Sequence, residues 1–321
     1  MMSTKYRIPF EGQVMSVSGS VSPDLLEVVD AHNHLWIEAL KDVSPNSPTL
    51  TEYEQILAEL REYRQAGGKT IVDCQPGGCG RNGMKLLQLS QESDVIVIAS
   101  TGFHRRIYYP SSWWLWEAGS EQIARYFIDE VLQGLEETRR LPKPVKAGLI
   151  KCACESALRD TPQKVLEAAA LAAAELGVCV EVHTEKGADA EAILNFFIRN
   201  GVRPNQVVLC HMDKVPDFVL HRNLAQAGAI LEYDTFYRPK YSPDTHVWPL
   251  IEKMVTNGFD QSVAIATDMA EAAMWKHIRR GPGLIGLLTV IRSHLEEMRV
   301  GITSIQNMMG RNIANRLAGI A

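Results

Sequence analysis

The stretch Val28-Val29-Asp30-Ala31-His32-Asn33-His34-Leu35-Trp36-Ile37-Glu38 begins with a short apolar run and then places two histidines one residue apart. A β-strand points side chains i and i+2 to the same face, so His32 and His34 can converge on one point. That geometry suits two imidazoles on one metal ion. It suits an ordinary polar strand end as well, and the pair alone does not choose between the two. What chooses is whether other strands end in the same way.

Working outward from Val28, short β-branched runs alternate with longer helical patterns. Strands are expected to begin near Val28, Thr70, Val95, Ala147, Val178, Val207, Ala229 and Val263. Between them lie segments with helical spacing, such as "TEYEQILAELREYRQAGG", whose terminal glycines read as a stop, and the alanine-rich "TPQKVLEAAALAAAELG". Several of the runs are apolar on both faces, as buried parallel strands are. Eight strand–helix repeats predict an α/β fold of the (β/α)8 TIM-barrel type, with an open doubly wound sheet as the alternative. A final helical region, "GLIGLLTVIRSHLEEMRV" and "SIQNMMGRNIANRLAGI", would close one side. Barrels of about 250 residues and more fold as one unit, so residues 1–321 are expected to form a single domain.

Composition narrows the function. Apolar residues make up 46% and charged residues 22%, a globular balance, and a net charge of −5 without a basic stripe argues against a nucleic-acid partner. The cysteines Cys74, Cys79, Cys152, Cys154, Cys179 and Cys210 sit in apolar runs with no CxxC spacing, and are expected to be reduced and buried. The opening "MMSTKYRIPFEGQVMS" lacks the apolar core of a signal peptide, and no run reaches the ~18 apolar residues of a membrane span. A cytoplasmic protein with a small-molecule substrate and no membrane partner is the expectation. "GGCGRNG" lacks the spacing of a phosphate-cradling loop and reads as a tight turn.

In a barrel the catalytic groups lie where strands finish. The first expected strand ends in His32 and His34, the fourth in Lys151, the fifth in His183, the sixth in His211 and the eighth in Asp268. Taken singly, a strand-end histidine is a satisfied polar residue and a closing aspartate a helix N-cap. Taken together, four of the nine histidines would have to reach one rim by accident. Imidazole and carboxylate ligands without thiolate suit Zn²⁺, or Mn²⁺, Co²⁺ or Fe²⁺. Six ligands exceed what one four-coordinate ion with an open position uses, so two divalent ions share them better. Lys151 is the odd member: an ammonium would repel metals and is costly to bury unpaired. Either it is a salt-bridging or neutral lysine, or it is a carbamate, an anion able to bridge two ions.

The set "DAHNH", "AGLIK", "VEVHT", "LCHMD" and "IATDMA", in this order, resembles the phosphotriesterase family of the amidohydrolase superfamily, over nearly the whole chain from Val28 to "NIANRLAG". The resemblance implies a binuclear centre at the C-terminal ends of the strands. His32, His34 and Asp268 would hold the more buried ion and His183 and His211 the exposed one, with carboxylated Lys151 between. Asn33 departs from the pattern, since the family usually has an acidic residue there; it points off the ligand face and bears on support of the site.

The implied reaction is hydrolysis by a metal-bridging hydroxide, with Asp268 as general base and then acid. The loops after the third, seventh and eighth strands, "STGFHRRIYYPSSWWLW", "YDTFYRPKYSPD" and "MAEAAMWKHIRRGPGLIG", resemble the branch of the family that opens sugar lactones, some of them phosphorylated. Lys240, Arg238, Arg279 and Arg280 offer charge-assisted donors for an anion, Lys240 foremost, with His104 and Arg81 as further pocket candidates. The alternative for these cations is solvated loop charge. Trp113, Trp114 and Trp116 would form a lid over the pocket or the contact of a homodimer. The expected function is therefore a lactonase for a small hydroxylated, anionic or phosphorylated sugar lactone. Phosphotriester, phosphoester or amide hydrolysis by the same centre, and a non-enzymatic metal-retaining binding protein, are the alternatives.

Overall fold

Parallel strands alternate with helices throughout the computed structural model, which describes Phe10 and residues 12–320. A short antiparallel hairpin, β1 (Val14–Ser16) and β2 (Gly19–Val21), precedes the strands β3 (Val29–Asn33), β4 (Thr70–Asp73), β5 (Ile96–Gly102), β6 (Leu149–Ala153), β7 (Val180–His183), β8 (Val207–Cys210), β9 (Ile230–Tyr233) and β10 (Val263–Ile265). Helices α1 (Tyr53–Gln65), α2 (Gly83–Ser93), α3 (Ser120–Leu132), α4 (Gln163–Leu176), α5 (Ala190–Arg199), α6 (Phe218–Gln226) and α7 (Val247–Thr256) fall between them. The eight strands β3 to β10 pair only with their sequence neighbours, all in parallel, in a nearly closed (β/α)8 barrel. Each begins within two residues of the position expected from the sequence.

Side chains close the seam between β10 and β3. The Asp30 carboxylate accepts the Thr267 N–H at 3.0 Å, its hydroxyl at 2.6 Å and the Asn33 amide at 2.8 Å, while the Asp268 N–H donates to the His32 carbonyl at 3.0 Å. Asn33 also donates to Thr267 Oγ1 at 2.9 Å, so its side chain belongs to this seam. A register shift in β3 between Asp30 and Asn33 spans His32 and ends directly before His34.

The lower interior is apolar: Val72, Ile98, Leu149, Val208, Ile230 and Ala264 are fully buried in one cluster. Val14 of β1, Leu26, Ile313 and Leu317 join it from below as a plug. Gly148 lets the hairpin seat there, because a Cβ would stand 2.4 Å from the Met15 carbonyl oxygen. Strands of three residues are too short to show a period of their own, so this hairpin has no counterpart among the strands expected from the sequence. The closing helices were expected over 283–300 and 304–320; they run over 287–297 and 302–317, and each contains a π-wound stretch, Leu287–Ile291 and Asn307–Arg311. All six cysteines are buried and free. Among the described residues no helix is long and apolar enough to cross a membrane.

Candidate metal centre

The alternation that fills the lower barrel with apolar residues puts ionisable ones above them. Two positions beyond Leu149 is Lys151, two beyond Cys179 is Glu181 and then His183, and two beyond Ile230 is Glu232 and then Asp234. His32, His34, Lys151, His211 and Asp268 are buried, and the His183 side chain is 13% exposed. The last two strand-end groups are set by the backbone: His211 (φ 61°) and Asp268 (φ 45°) both adopt the left-handed region, unusual for residues with a Cβ and common where function over-determines geometry.

Three of the four imidazoles have one nitrogen held by an acceptor behind it, and the fourth faces a carboxylate without a hydrogen bond to it. His32 Nδ1 lies 2.7 Å from Glu232, His34 Nδ1 2.7 Å from Gln75, His211 Nδ1 2.6 Å from Asp234, and His183 Nε2 faces Glu185 at 3.5 Å. The other nitrogens turn inward. His32 Nε2 and His34 Nε2 stand 3.9 and 3.8 Å from Asp268 Oδ1, and His183 Nδ1 stands 2.8 Å from His211 Nε2. Burial, reinforced by Lys151, pushes His32 down to about 3; burial pushes His34 down to about 4 and lowers His183 and His211 as well. Neutral imidazoles offer lone pairs. Burial alone would raise the Asp268 carboxyl, but His211, His32 and Arg238 outweigh it and hold it well below the usual carboxylate range.

These facts test the site for metals. A His211 proton on Nδ1, toward Asp234, leaves Nε2 a bare acceptor facing His183. With the His183 proton on Nε2, toward Glu185, two lone pairs meet at 2.8 Å; with it on Nδ1, the buried Nε2 has no hydrogen-bond partner. A cation between the rings removes the conflict, and carboxylate-backed imidazoles are the usual support of metal ligands. His32, His34 and Asp268 form a second metal-capable group beside it. The residues fit two divalent ions.

Lys151 sits beneath both groups. Its Nζ donates to Glu181 Oε1 at 3.2 Å and lies 3.3 Å from His32 Nε2 and 3.4 Å from Cys210 Sγ. Burial disfavours its charge, but Cys210, Cys74, Glu181 and Glu232 raise it well above the ordinary lysine value. As an unmodified side chain it is an ion-paired ammonium. Glu181 Oε2 and Glu232 Oε2 are buried without partners in the described structure, so this floor carries more acceptors than one ammonium satisfies.

A cavity of about 680 Å³ opens onto the centre, walled by the loop after β3 and by 270–272. Of the substrate contacts expected from sequence, His104 and Arg238 line it. Arg238 is held by Asp268, with Nη2 2.9 Å from Oδ2, and by Glu271 at 3.3 Å. The others are placed elsewhere. Lys240 is exposed with its ammonium 5.4 Å from the Tyr241 ring, and Arg279 and Arg280 are exposed on and just after the short helix Lys276–Arg279. Arg81 is a core residue bonded to Glu130, Glu137 and the Ser100 carbonyl, holding the loop after β4 against α3. The tryptophan run does not wall the cavity: Trp116 is buried against Tyr109, and Trp114 packs on Tyr126.

Sequence reasoning missed the supporting shell of Gln75, Glu181, Glu185, Glu232 and Asp234. The signal for two of them was present, since Glu181 in "VCVEVHT" and Glu232 in "AILEYD" interrupt strands that are otherwise apolar.

The model of the phosphotriesterase family matches residues 12–311. A phospho-furanose lactonase of Mycoplasmopsis agalactiae is 29% identical over 243 residues, 72% of this chain and 69% of that protein. A phospho-furanose lactonase of Mycoplasmopsis synoviae is 28% identical over 265 residues, 79% of this chain and 75% of that one. The crystal structure of a lactonase from Listeria monocytogenes, 22% identical, shares the fold with a TM-score of 0.87 over 95% of this chain and 98% of its own. The match runs from the hairpin to the last helix and spans every strand that brings a ligand-type residue to the rim, so this chain belongs to the phosphotriesterase family and is a metal-dependent hydrolase.

Proposed function

We propose that this enzyme opens a small hydroxylated sugar lactone that carries a phosphate or carboxylate. The observation that carries the hydrolytic part is the convergence of four imidazoles, three of them hydrogen-bonded to an acceptor behind the ring and the fourth facing Glu185, on the cavity floor beside Asp268. His32, His34 and Asp268 would hold one divalent ion and His183 and His211 a second, with Lys151 as a bridging carbamate. Nitrogen and oxygen donors suit zinc, with manganese, cobalt or iron as alternatives. Ions bound there would lower the pKa of water to about 7 and polarise the scissile carbonyl.

Asp268 takes the proton of the attacking water and returns it to the ring oxygen as that oxygen leaves. Arg238 Nη2, on Oδ2 and on the Asp268 carbonyl, keeps the carboxylate turned to the cavity. The lactone part is supported by the relatives named phospho-furanose lactonases and by a cavity wall of Ser44, Asn46, Ser47 and Thr49, groups that match sugar hydroxyls. Arg238 is the cation on that wall for an anionic substituent.

Metal analysis combined with a substrate panel tests this reading. Two metal equivalents, loss of turnover on chelation, and higher kcat/KM for phosphorylated than for dephosphorylated aldonolactones are expected. Turnover confined to amides or phosphotriesters would refute the lactone assignment, and full turnover after chelation would refute the metal assignment.

A further inference from the structure

The loop after β5 carries a histidine outside the ligand set, and its ring is more constrained than a loop residue needs to be. His104 is 8% exposed, lines the cavity, and lies with its ring centroid 6.0 Å from that of His34 and 5.5 Å from that of His183, one from each half of the centre. Its Nδ1 accepts the backbone N–H of Arg105 at 2.7 Å. A backbone amide can only donate, so Nδ1 must present its lone pair and the ring proton belongs to Nε2.

Three contacts hold the ring in that pose. The His104 N–H donates to the Tyr109 hydroxyl at 2.8 Å, Tyr108 packs edge-on at 4.9 Å and 87°, and Arg105 is tied to Glu155 at 3.2 Å and Glu185 at 2.8 Å. Gly102 (φ 112°) makes the turn possible, because a Cβ there would lie 1.8 Å from the Lys151 carbonyl oxygen. The loop is thus anchored to the strand that carries Lys151 and, through Glu185, to the group facing His183.

We propose that His104 is a substrate-facing hydrogen-bond donor, whose Nε2–H stabilises the oxygen that gains negative charge when the carbonyl is attacked. This rests on the reading of the centre as hydrolytic. The donor is uncharged and fixed before substrate arrives, which is what makes such a group effective in a water-poor site. No proton is transferred; the hydrogen bond strengthens as charge develops.

The test compares wild type with His104→Phe, which removes the donor and keeps a ring, and His104→Gln, whose amide can place an N–H near the position of Nε2. With the best aldonolactone, Phe is expected to lower kcat on the order of 10²-fold with KM little changed, while Gln recovers most of the loss. Metal content should equal wild type in both. Nitrogen-15 spectra of the wild-type holoenzyme should show the His104 proton on Nε2. A proton on Nδ1, a Phe variant within about threefold of wild-type kcat, or metal loss in both variants overturns the assignment. If wild type opens no lactone, the lactone reading fails, whereas the tautomer still decides the donor.

Discussion

At the lower end of the barrel the inward side chains are Val72, Ile98, Leu149, Val208, Ile230 and Ala264, plugged by Val14, Leu26 and Leu317. One inward step higher, the same strands present Lys151, Glu181, Cys210 and Glu232, and at the rim His183, Asp234 and Asp268. Apart from the partly exposed His183, both layers are buried, so exposure does little to distinguish them. What differs is the source of their stability. The lower layer gains from removing apolar surface from water, and any apolar side chain of similar volume serves. In the upper layer each buried charge needs a partner, and among the described residues Glu181 Oε2 and Glu232 Oε2 have none. Function is concentrated where satisfaction is incomplete.

That contrast can be broken from either end. Asp268→Asn should leave the barrel folded and lower kcat by on the order of 10³-fold; retention of more than a few per cent of activity with full metal content would remove Asp268 from its role. Glu232→Gln weakens the acceptor behind His32, and competition with a chromophoric chelator should show metal affinity reduced by roughly 10- to 100-fold. Unchanged affinity would mean that the floor carboxylates serve Lys151 rather than the ligands. Leu149→Ala acts on the apolar layer alone: it should cost about 2–5 kcal/mol in denaturant unfolding while the metal stoichiometry stays that of wild type. Metal loss in that variant would show that the two layers are not separable. The smallest effect belongs to the loops. Lys240→Ala should change the preference for a phosphorylated lactone by less than about twofold, since its ammonium is solvated beside Tyr241, whereas Arg238→Ala should abolish the preference.

The barrel was legible because its signal repeats. Strand starts at Thr70, Val207 and Val263 stand where the alternation puts them, and the helices between them show apolar spacing and stops such as Gly177 (φ 71°). His32, His34, Lys151, His183, His211 and Asp268 could be gathered on one rim because strand ends share a face of the barrel. The loops follow no such rule. Lys240, Arg279 and Arg280 have the charge expected of an anion site, but the turns that carry them, with Ser242 and Arg280 in the left-handed region, leave them exposed and off the cavity wall. Arg81 shows the converse, a basic residue next to the site that is consumed by Glu130 and Glu137 from α3 and the turn after it.

The sequence by itself determined the repeat, the inward and outward faces of each strand, and the residue types delivered to the rim, because these follow from a period of two along a strand and from the order of the elements. Only the tertiary structure decided which acceptor stands behind each imidazole, that Lys151 meets Glu181, that Arg238 rather than Lys240 faces the cavity, and that His104 Nδ1 accepts the Arg105 N–H. Apart from the local pairs His104–Arg105 and His183–Glu185, those outcomes depend on contacts between residues far apart in the chain, made across a barrel whose closure no local pattern encodes.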